Sequence, residues 1–379
     1  TLTVEGCGLN QWKIPNEPLD CRNSGTTLRT LAGALVGTNT PAVLDGSPGL
    51  RRRPMGRIVD PLRQMGALID AADGAAPLRI GKRSGRNPLA GIDYHLPVAS
   101  AQVKTALLLA ALGADSATTL TEPGPSRDHT ERMLAQMGVD IAIDAQARSV
   151  RLMPPSGPLK PLQFTIPGDI SSAAFLIVAA LITPGSEITL RGVGLNPTRT
   201  GLLDALRAMG AKIDITHAHS TPAAGQVSRF TEPVGDIIAS YSPDLHAIEI
   251  SGERVVRMID EFPIFAVAAT HAEGTTIVGD AEELRHKETD RIHTLAEEFN
   301  KLGIPIQERE DGFSIRGGQL YHGTSVSARG DHRLGMALAV LGLGAEEALT
   351  IHGAEIINES FPSFFSKLES LGAQRISDD

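Results

Sequence analysis

The chain has only two cysteines, Cys7 and Cys21, in 379 residues, and no CxxC pair. That removes a disulfide framework and a thiolate zinc site from consideration, and suits a reducing cytoplasm. The longest apolar run, Ala173 to Ile182, falls well short of the roughly 20 residues that a bilayer-crossing helix needs. The opening residues show no basic stretch followed by an apolar one, so neither a membrane span nor a secretory leader is expected. Positive charge is in deficit: 35 Lys and Arg against 44 Asp and Glu leave a formal charge of −9. This is the wrong sign for a general nucleic-acid binder. An anionic ligand would have to be gripped by local basic clusters.

Common cofactor motifs are missing too. There is no GxxxxGK[ST] loop and no HExxH pair, and GVGLNP at Gly192 lacks the third glycine and the ribose acid of a dinucleotide site. No metal, nucleotide or other cofactor is expected. What the chain does have is 39 glycines, 41% apolar and 21% charged residues, with only 4% aromatics. That is the composition of an α/β protein, and at roughly 150 residues per domain the length suggests two or three domains.

One pattern recurs five times: LRQMGALID at Leu62, LAQMGVDIAI at Leu134, LRAMGAKIDI at Leu206, FNKLGIPIQ at Phe299 and LESLGAQRI at Leu368. Each reads as an amphipathic helix ended by a glycine suited to the left-handed C′ position, then an apolar residue opening a strand. Gly66, Gly138, Gly210, Gly303 and Gly372 recur at intervals of 72, 72, 93 and 69 residues. These are too long for a solenoid, so each unit must hold more than one helix. The longer interval includes the polar stretch 217–242, expected to form an extra hairpin or long loop.

Between the glycines lies a second set of helices that open on polar or ionic residues: NSGTTLRTLAGAL from Asn23, SAQVKTALLLAAL from Ser100, GDISSAAFLIVAALI from Gly168, DEFPIFAVAAT from Asp260 and DHRLGMALAVL from Asp331. Leu28, Leu31, Ala32 and Leu35 mark one buried face. The first turn of a helix exposes unpaired N–H groups, so such starts are natural seats for anions.

Taken singly, these motifs have ordinary readings as well. NSGTT is a good helix cap. GLRRRPMGR, Gly49 to Arg57, is either a solvated basic face or a set of guanidinium forks for phosphate. RHKETDRIH, Arg285 to His293, puts Lys287 and Arg291 four residues apart, as on one face of a surface helix. Asp260 and Glu261 ahead of Pro263 suit the first turn of a helix, where a carboxylate usually only caps.

Together the motifs resemble the EPSP synthase (3-phosphoshikimate 1-carboxyvinyltransferase) family over the whole chain. SAQVK (Ser100 to Lys104), RDHTE (Arg127 to Glu131) and NPTR (Asn196 to Arg199) are similar to three signatures of its class II branch. NSGTTLR, RRRPMGR, IPGD, IDEFP, HKETDR, GDHR and SFP follow in family order. The resemblance implies a two-domain inside-out α/β barrel of repeated βαβαββ units, with domains at 1–165 and 166–379. Five of six units are expected here. The segment carrying the family's glycine-aspartate-lysine-serine signature is not found, so little turnover is expected of this chain by itself. A non-catalytic anion-binding fragment is the alternative.

The activity implied is transfer of the enolpyruvyl group of phosphoenolpyruvate to the 5-hydroxyl of shikimate 3-phosphate, by a cytoplasmic monomer without nucleic-acid or membrane partners. By resemblance, Gly25, Arg53, Gln102, Arg291 and Arg333 seat phosphoenolpyruvate. Ser100, Ala101, Gln102, Arg127, Asp260 and Lys287 seat shikimate 3-phosphate. Asp260 is the expected base for the hydroxyl, and Glu288 the expected acid and base at the methylene carbon. Ala101 stands where many relatives have serine, and Glu359 where class I members have a phosphate-binding lysine. Gly25 lies where glyphosate-tolerant relatives can carry alanine, while the class II context points the other way. The same-fold enzyme acting on UDP-N-acetylglucosamine has a cysteine near an arginine-proline pair; Arg53-Pro54 has no thiol nearby.

Overall fold

All five recurring glycines adopt the left-handed conformation, with φ of 92°, 88°, 91°, 80° and 102° for Gly66, Gly138, Gly210, Gly303 and Gly372. An L side chain is disfavoured there, which is why this residue stops each helix. The structure, a computed structural model, describes all residues except 1, 2, 4, 9, 10, 86, 163, 217–230 and 376–379.

The first repeat runs β1 (Leu19–Asp20), α1 (Gly25–Gly37), β2 (Ala42–Asp45), α2 (Gly56–Gln64), β3 (Ile69–Ala72) and β4 (Ala75–Ile80). Its sheet is ordered β1-β2-β4-β3, with β1 parallel to β2 and the other pairs antiparallel. The second repeat is β5 (Asp93–His95), α3 (Ala101–Ala111), β6 (Thr118–Thr121), α4 (His129–Gln136), β7 (Asp140–Asp144) and β8 (Ser149–Met153), with the equivalent order β5-β6-β8-β7. In the third, a bridge from Gly168 to Val193 stands in for the leading strand, followed by α5 (Ile170–Ile182), β9 (Glu187–Gly194), α6 (Gly201–Ala208), β10 (Lys212–Thr216) and β11 (Val234–Ser240).

The fourth repeat restores the full pattern with one added turn: β12 (Glu249–Ile250), α7 (Glu253–Arg257), α8 (Phe262–Thr270), β13 (Thr275–Val278), α9 (Arg291–Lys301), β14 (Ile306–Arg309) and β15 (Gly312–Arg316). The fifth holds β16 (Ser325–Ser327), α10 (His332–Leu341), β17 (Thr350–His352) and α11 (Phe364–Ser370). Of the polar stretch 217–242, residues 234–240 are the closing strand of the third repeat and not an added hairpin, because they pair antiparallel with both β9 and β10. Residues 217–230 lie outside the described residues.

The chain divides into two compact units, one formed by the chain up to Phe164 with two repeats, to which Thr231 also belongs, and one starting at Thr165 with three. Each has its own apolar core. In the first, α1 and α3 meet backbone to backbone: a Cβ on Gly33 would lie 2.0 Å from the carbonyl oxygen of Ala106, and one on Gly37 2.6 Å from that of Leu109. Leu28, Ala32, Leu35 and Leu107 are buried in the same core, and fully burying a leucine is worth about 1.5–3 kcal/mol. In the second unit α5, α8 and α10 are buried along almost their whole length. Helices ending at the recurring glycines stay amphipathic. No helix among the described residues is long and apolar enough to cross a membrane.

Candidate active site

Side-chain caps decide where the buried helices start. Ser24 is extended, and its hydroxyl accepts the Thr27 N–H at 3.1 Å, so α1 begins at Gly25. Ser100 caps α3 through the Val103 N–H at 3.5 Å, leaving Ala101 as the first helical residue. Gln102 links the two starts: its amide nitrogen donates to Thr26 Oγ1 at 2.8 Å and its oxygen accepts from Arg29 Nη1. Arg29 also donates to the Pro54 carbonyl at 3.3 Å. A Cβ on Gly25 would sit 3.1 Å from Arg29 Nη1 and 3.3 Å from Arg53 Nη1.

Gly25, Arg53 and Gln102 are therefore brought together at the start of α1, with Arg29 as a fourth member that sequence reasoning missed. Its signal was the NSGTTLR motif itself, in which the closing arginine was not weighed. Arg127 directly precedes Asp128, the N-cap residue of α4. That helix is fastened to α3 by Thr105 to Thr130 at 2.6 Å and by Lys104 to Glu131 at 2.7 Å.

The second unit builds a denser group. Asp331 opens α10 by accepting the Arg333 N–H at 2.9 Å and the Leu334 N–H at 3.5 Å. The same carboxylate takes Arg291 in a fork, Nε to Oδ2 at 2.6 Å and Nη2 to Oδ1 at 3.2 Å. Arg291 Nη2 also donates to Glu288 Oε2 at 2.7 Å. Burial would lower the guanidinium pKa, but the charges of Asp331 and Glu288 outweigh it and hold it up. The Asp331 carboxyl, pushed up by burial, is held below its ordinary value by Arg291.

Arg291 Nη1 makes no hydrogen bond among the described residues and lies 3.8 Å from Asp260 Oδ1. Lys287 Nζ is 3.7 Å from that same oxygen, and Arg333 Nη2 is 3.9 Å from Oδ2. Asp260 thus has three cations within 4 Å of its carboxylate, and two of them are shared, Arg291 with Asp331 and Glu288, and Arg333 with Glu261. Lys287 reaches it differently from the expectation. Asp290 caps the His293 N–H at 3.0 Å, so α9 starts at Arg291 and Lys287 is in extended backbone before it. The two cations do not share a helical face; the chain bends to bring them to one carboxylate.

Glu261 was expected only to cap α8. It makes no cap hydrogen bond. Its side chain is buried and accepts from the Ser171 hydroxyl, which in turn accepts from Arg199 Nη2 at 2.6 Å. Burial, with Asp260 pushing the same way, raises its carboxyl pKa against Arg333 and Arg199. Ser171 and Arg199 come from GDISS and NPTR, so three motifs meet behind Asp260. Glu359 is exposed at the end of a 3₁₀ segment, Ala354–Glu359. Among the described residues no group of three or more His, Cys, Asp or Glu side chains is placed to hold a metal ion.

The sequence matches the EPSP synthase (3-phosphoshikimate 1-carboxyvinyltransferase) family over residues 1–368. It is 46% identical over 371 residues to a Bacillus licheniformis protein named 3-phosphoshikimate 1-carboxyvinyltransferase, covering 98% of this chain and 83% of that protein. A Roseiflexus protein of the same name is 49% identical over 373 residues, covering 97% and 83%. The solved EPSP synthase of Acinetobacter baumannii superposes with a TM-score of 0.82 at 39% identity, covering 97% of this chain and 81% of that one. The enolpyruvyl transferase NikO of Streptomyces tendae, at 20% identity and a TM-score of 0.71 over 91% of this chain and 76% of that one, shares the fold.

Proposed function

This chain belongs to the EPSP synthase family, and from that premise we propose that it transfers the enolpyruvyl group of phosphoenolpyruvate to the 5-hydroxyl of shikimate 3-phosphate and releases phosphate. This is the step of the shikimate pathway that leads toward chorismate and the aromatic amino acids. The observation that carries the reading is the position of Asp260 within 4 Å of Lys287, Arg291 and Arg333, with Glu288 on the same arginine.

Both substrates are phosphorylated anions, so the work is to clamp charge and move two protons. In the first unit, Gly25, Arg53 and Gln102 are read as contacts of phosphoenolpyruvate, and Ser100, Ala101, Gln102 and Arg127 as contacts of shikimate 3-phosphate. In the second unit, Arg291 and Arg333 are read as contacts of phosphoenolpyruvate, and Lys287 and Asp260 as contacts of shikimate 3-phosphate. Asp260 accepts the proton of the 5-hydroxyl as its oxygen bonds to C2 of phosphoenolpyruvate, while Glu288 gives a proton to the C3 methylene. The resulting tetrahedral intermediate loses phosphate, and Glu288 takes a proton back from the methyl group to restore the double bond. We take the two units as the family's two domains, expected at 1–165 and 166–379. Two free thiols, Cys7 and Cys21, support a cytoplasmic setting, and the protein is read as a monomer.

The test is phosphate release from the purified chain. The rate checks the expectation of little turnover, and whatever release there is should require both substrates together and fall by about 10²–10⁴ on Asp260→Asn or Glu288→Gln, the usual size of a positioned acid or base contribution. Release that persists in both variants would overturn the assignment of the two carboxylates. Release with phosphoenolpyruvate and UDP-N-acetylglucosamine instead would overturn the acceptor.

A further inference from the structure

The first unit contains a buried ion cluster to which the proposed chemistry assigns nothing. Lys104, the last residue of SAQVK, is 3% exposed, and its ammonium lies 2.7 Å from Glu122 Oε2 and 2.7 Å from Glu131 Oε1. The glutamates are also almost fully buried, at 10% and 3% side-chain exposure. One follows β6 and the other lies in the first turn of α4, as the last residue of RDHTE. Each glutamate keeps a second oxygen, Glu122 Oε1 and Glu131 Oε2, with no hydrogen-bond partner among the described residues.

Such a cluster is an expensive way to hold a helix. Desolvating three charges costs more than packing apolar side chains of the same volume, and the cost is recovered only through geometry that apolar packing does not impose. What it fixes is direction and register. Lys104 lies one turn into α3, whose start carries Ser100, Ala101 and Gln102. Glu131 lies one turn into α4, whose approach carries Arg127. A neighbouring hydrogen bond from Thr105 to Thr130, 2.6 Å, repeats the tie one residue along on each helix.

We propose that Lys104 is a positioning residue for the acceptor substrate: by pinning the first turn of α4 and the end of β6 to α3, its ammonium sets the spacing between Ser100 and Arg127. This explains why two motifs that look like separate substrate contacts each end on a member of one ion pair. The proposal rests on the reading that Ser100 and Arg127 seat shikimate 3-phosphate. Burial would lower the Lys104 pKa, but Glu131 and Glu122 outweigh it and hold it up, while at Glu131 burial outweighs Lys104 and raises the carboxyl.

The experiment measures shikimate 3-phosphate binding by calorimetry, and the KM of each substrate, in wild type, Lys104→Met, Lys104→Arg and the paired variant Lys104→Met with Glu131→Met. Lys104→Met should weaken shikimate 3-phosphate at least 10-fold and change the KM for phosphoenolpyruvate less than 2-fold. Lys104→Arg should recover most of that loss. In the paired variant, which leaves no ammonium and one carboxylate fewer, thermal stability should return toward wild type while acceptor binding stays weak. Wild-type acceptor affinity in a folded paired variant would overturn the proposal and leave the functional reading standing. So would equal losses for both substrates. A wild-type chain that does not bind shikimate 3-phosphate would overturn both.

Discussion

Arg291 and Asp331 are joined by two hydrogen bonds inside the second unit, with side-chain exposures of 1% and 0%. The pair does two jobs with one carboxylate, since Asp331 also closes the first turn of α10. Replacing Asp331 by asparagine removes the fully buried member of the guanidinium's counter-charges and leaves it only the partly exposed Glu288 and Asp260. The expected loss is about 3–5 kcal/mol of folding free energy, read as a lower urea midpoint at pH 7. Unchanged stability would mean that the pair is not closed in solution.

The same pair sets a pH dependence whose sign follows from the lowered Asp331 pKa. As acid is added, the unfolded chain protonates first, near its ordinary value of about 4, while the native carboxylate resists. The contribution is therefore complete above that value and is lost as pH falls from it through the lower native one. Wild type should lose more stability than Asp331→Asn between pH 6 and pH 3. Parallel denaturation curves at the two pH values would contradict this.

Gly33 tests the contact between α1 and α3. A methyl group there would meet the Ala106 carbonyl at 2.0 Å, a collision with backbone that no rotamer change relieves. Gly33→Ala should cost about 3 kcal/mol or more. Gly303→Ala, which has open space but a φ of 80°, should cost only about 1–2 kcal/mol from backbone strain. Chemical denaturation of the two variants would rank them, and the reverse order would refute the packing argument.

At Gly25 the added methyl would press on the far ends of two flexible side chains, Arg29 and Arg53, at 3.1 and 3.3 Å. The fold should tolerate it. The guanidinium groups would have to shift by a few tenths of an ångström, so the KM for phosphoenolpyruvate should rise several-fold with little change in that for shikimate 3-phosphate. Steady-state kinetics with each substrate varied in turn decide this. An equal rise in both would place the disturbance elsewhere.

The repeat was legible because it is written in local chemistry. A glycine forced to positive φ and a polar cap before an apolar run are properties of a few adjacent residues; all five glycines and four of the five caps, Ser24, Ser100, Asp169 and Asp331, are found where the pattern put them. Tertiary pairings were not legible. Lys287 and Arg291 have helical spacing, but the Asp290 cap starts the helix too late to include the lysine. Glu261 reads as a first-turn carboxylate, yet Ser171, 90 residues earlier, draws it inward. Arg29, Lys104 and Arg199 were visible as letters of motifs, but their partners lie on other elements. The 93-residue interval made all of 217–242 read as an addition, although residues 234–240 alternate inward and outward as the closing strand of the third repeat; 217–230 lie outside the described residues.

The strand order within each repeat has a consequence for synthesis. Every described sheet draws its strands from one stretch of sequence, as in 19–80, 93–153 and 249–316, and none borrows from another repeat. A nascent chain can finish each hydrogen-bonded ladder as its last strand leaves the ribosome, without waiting for a distant partner. What must wait is the docking of neighbouring inner helices such as α1 and α3, so side chains at that late junction should govern how long newly made protein stays exposed to chaperones.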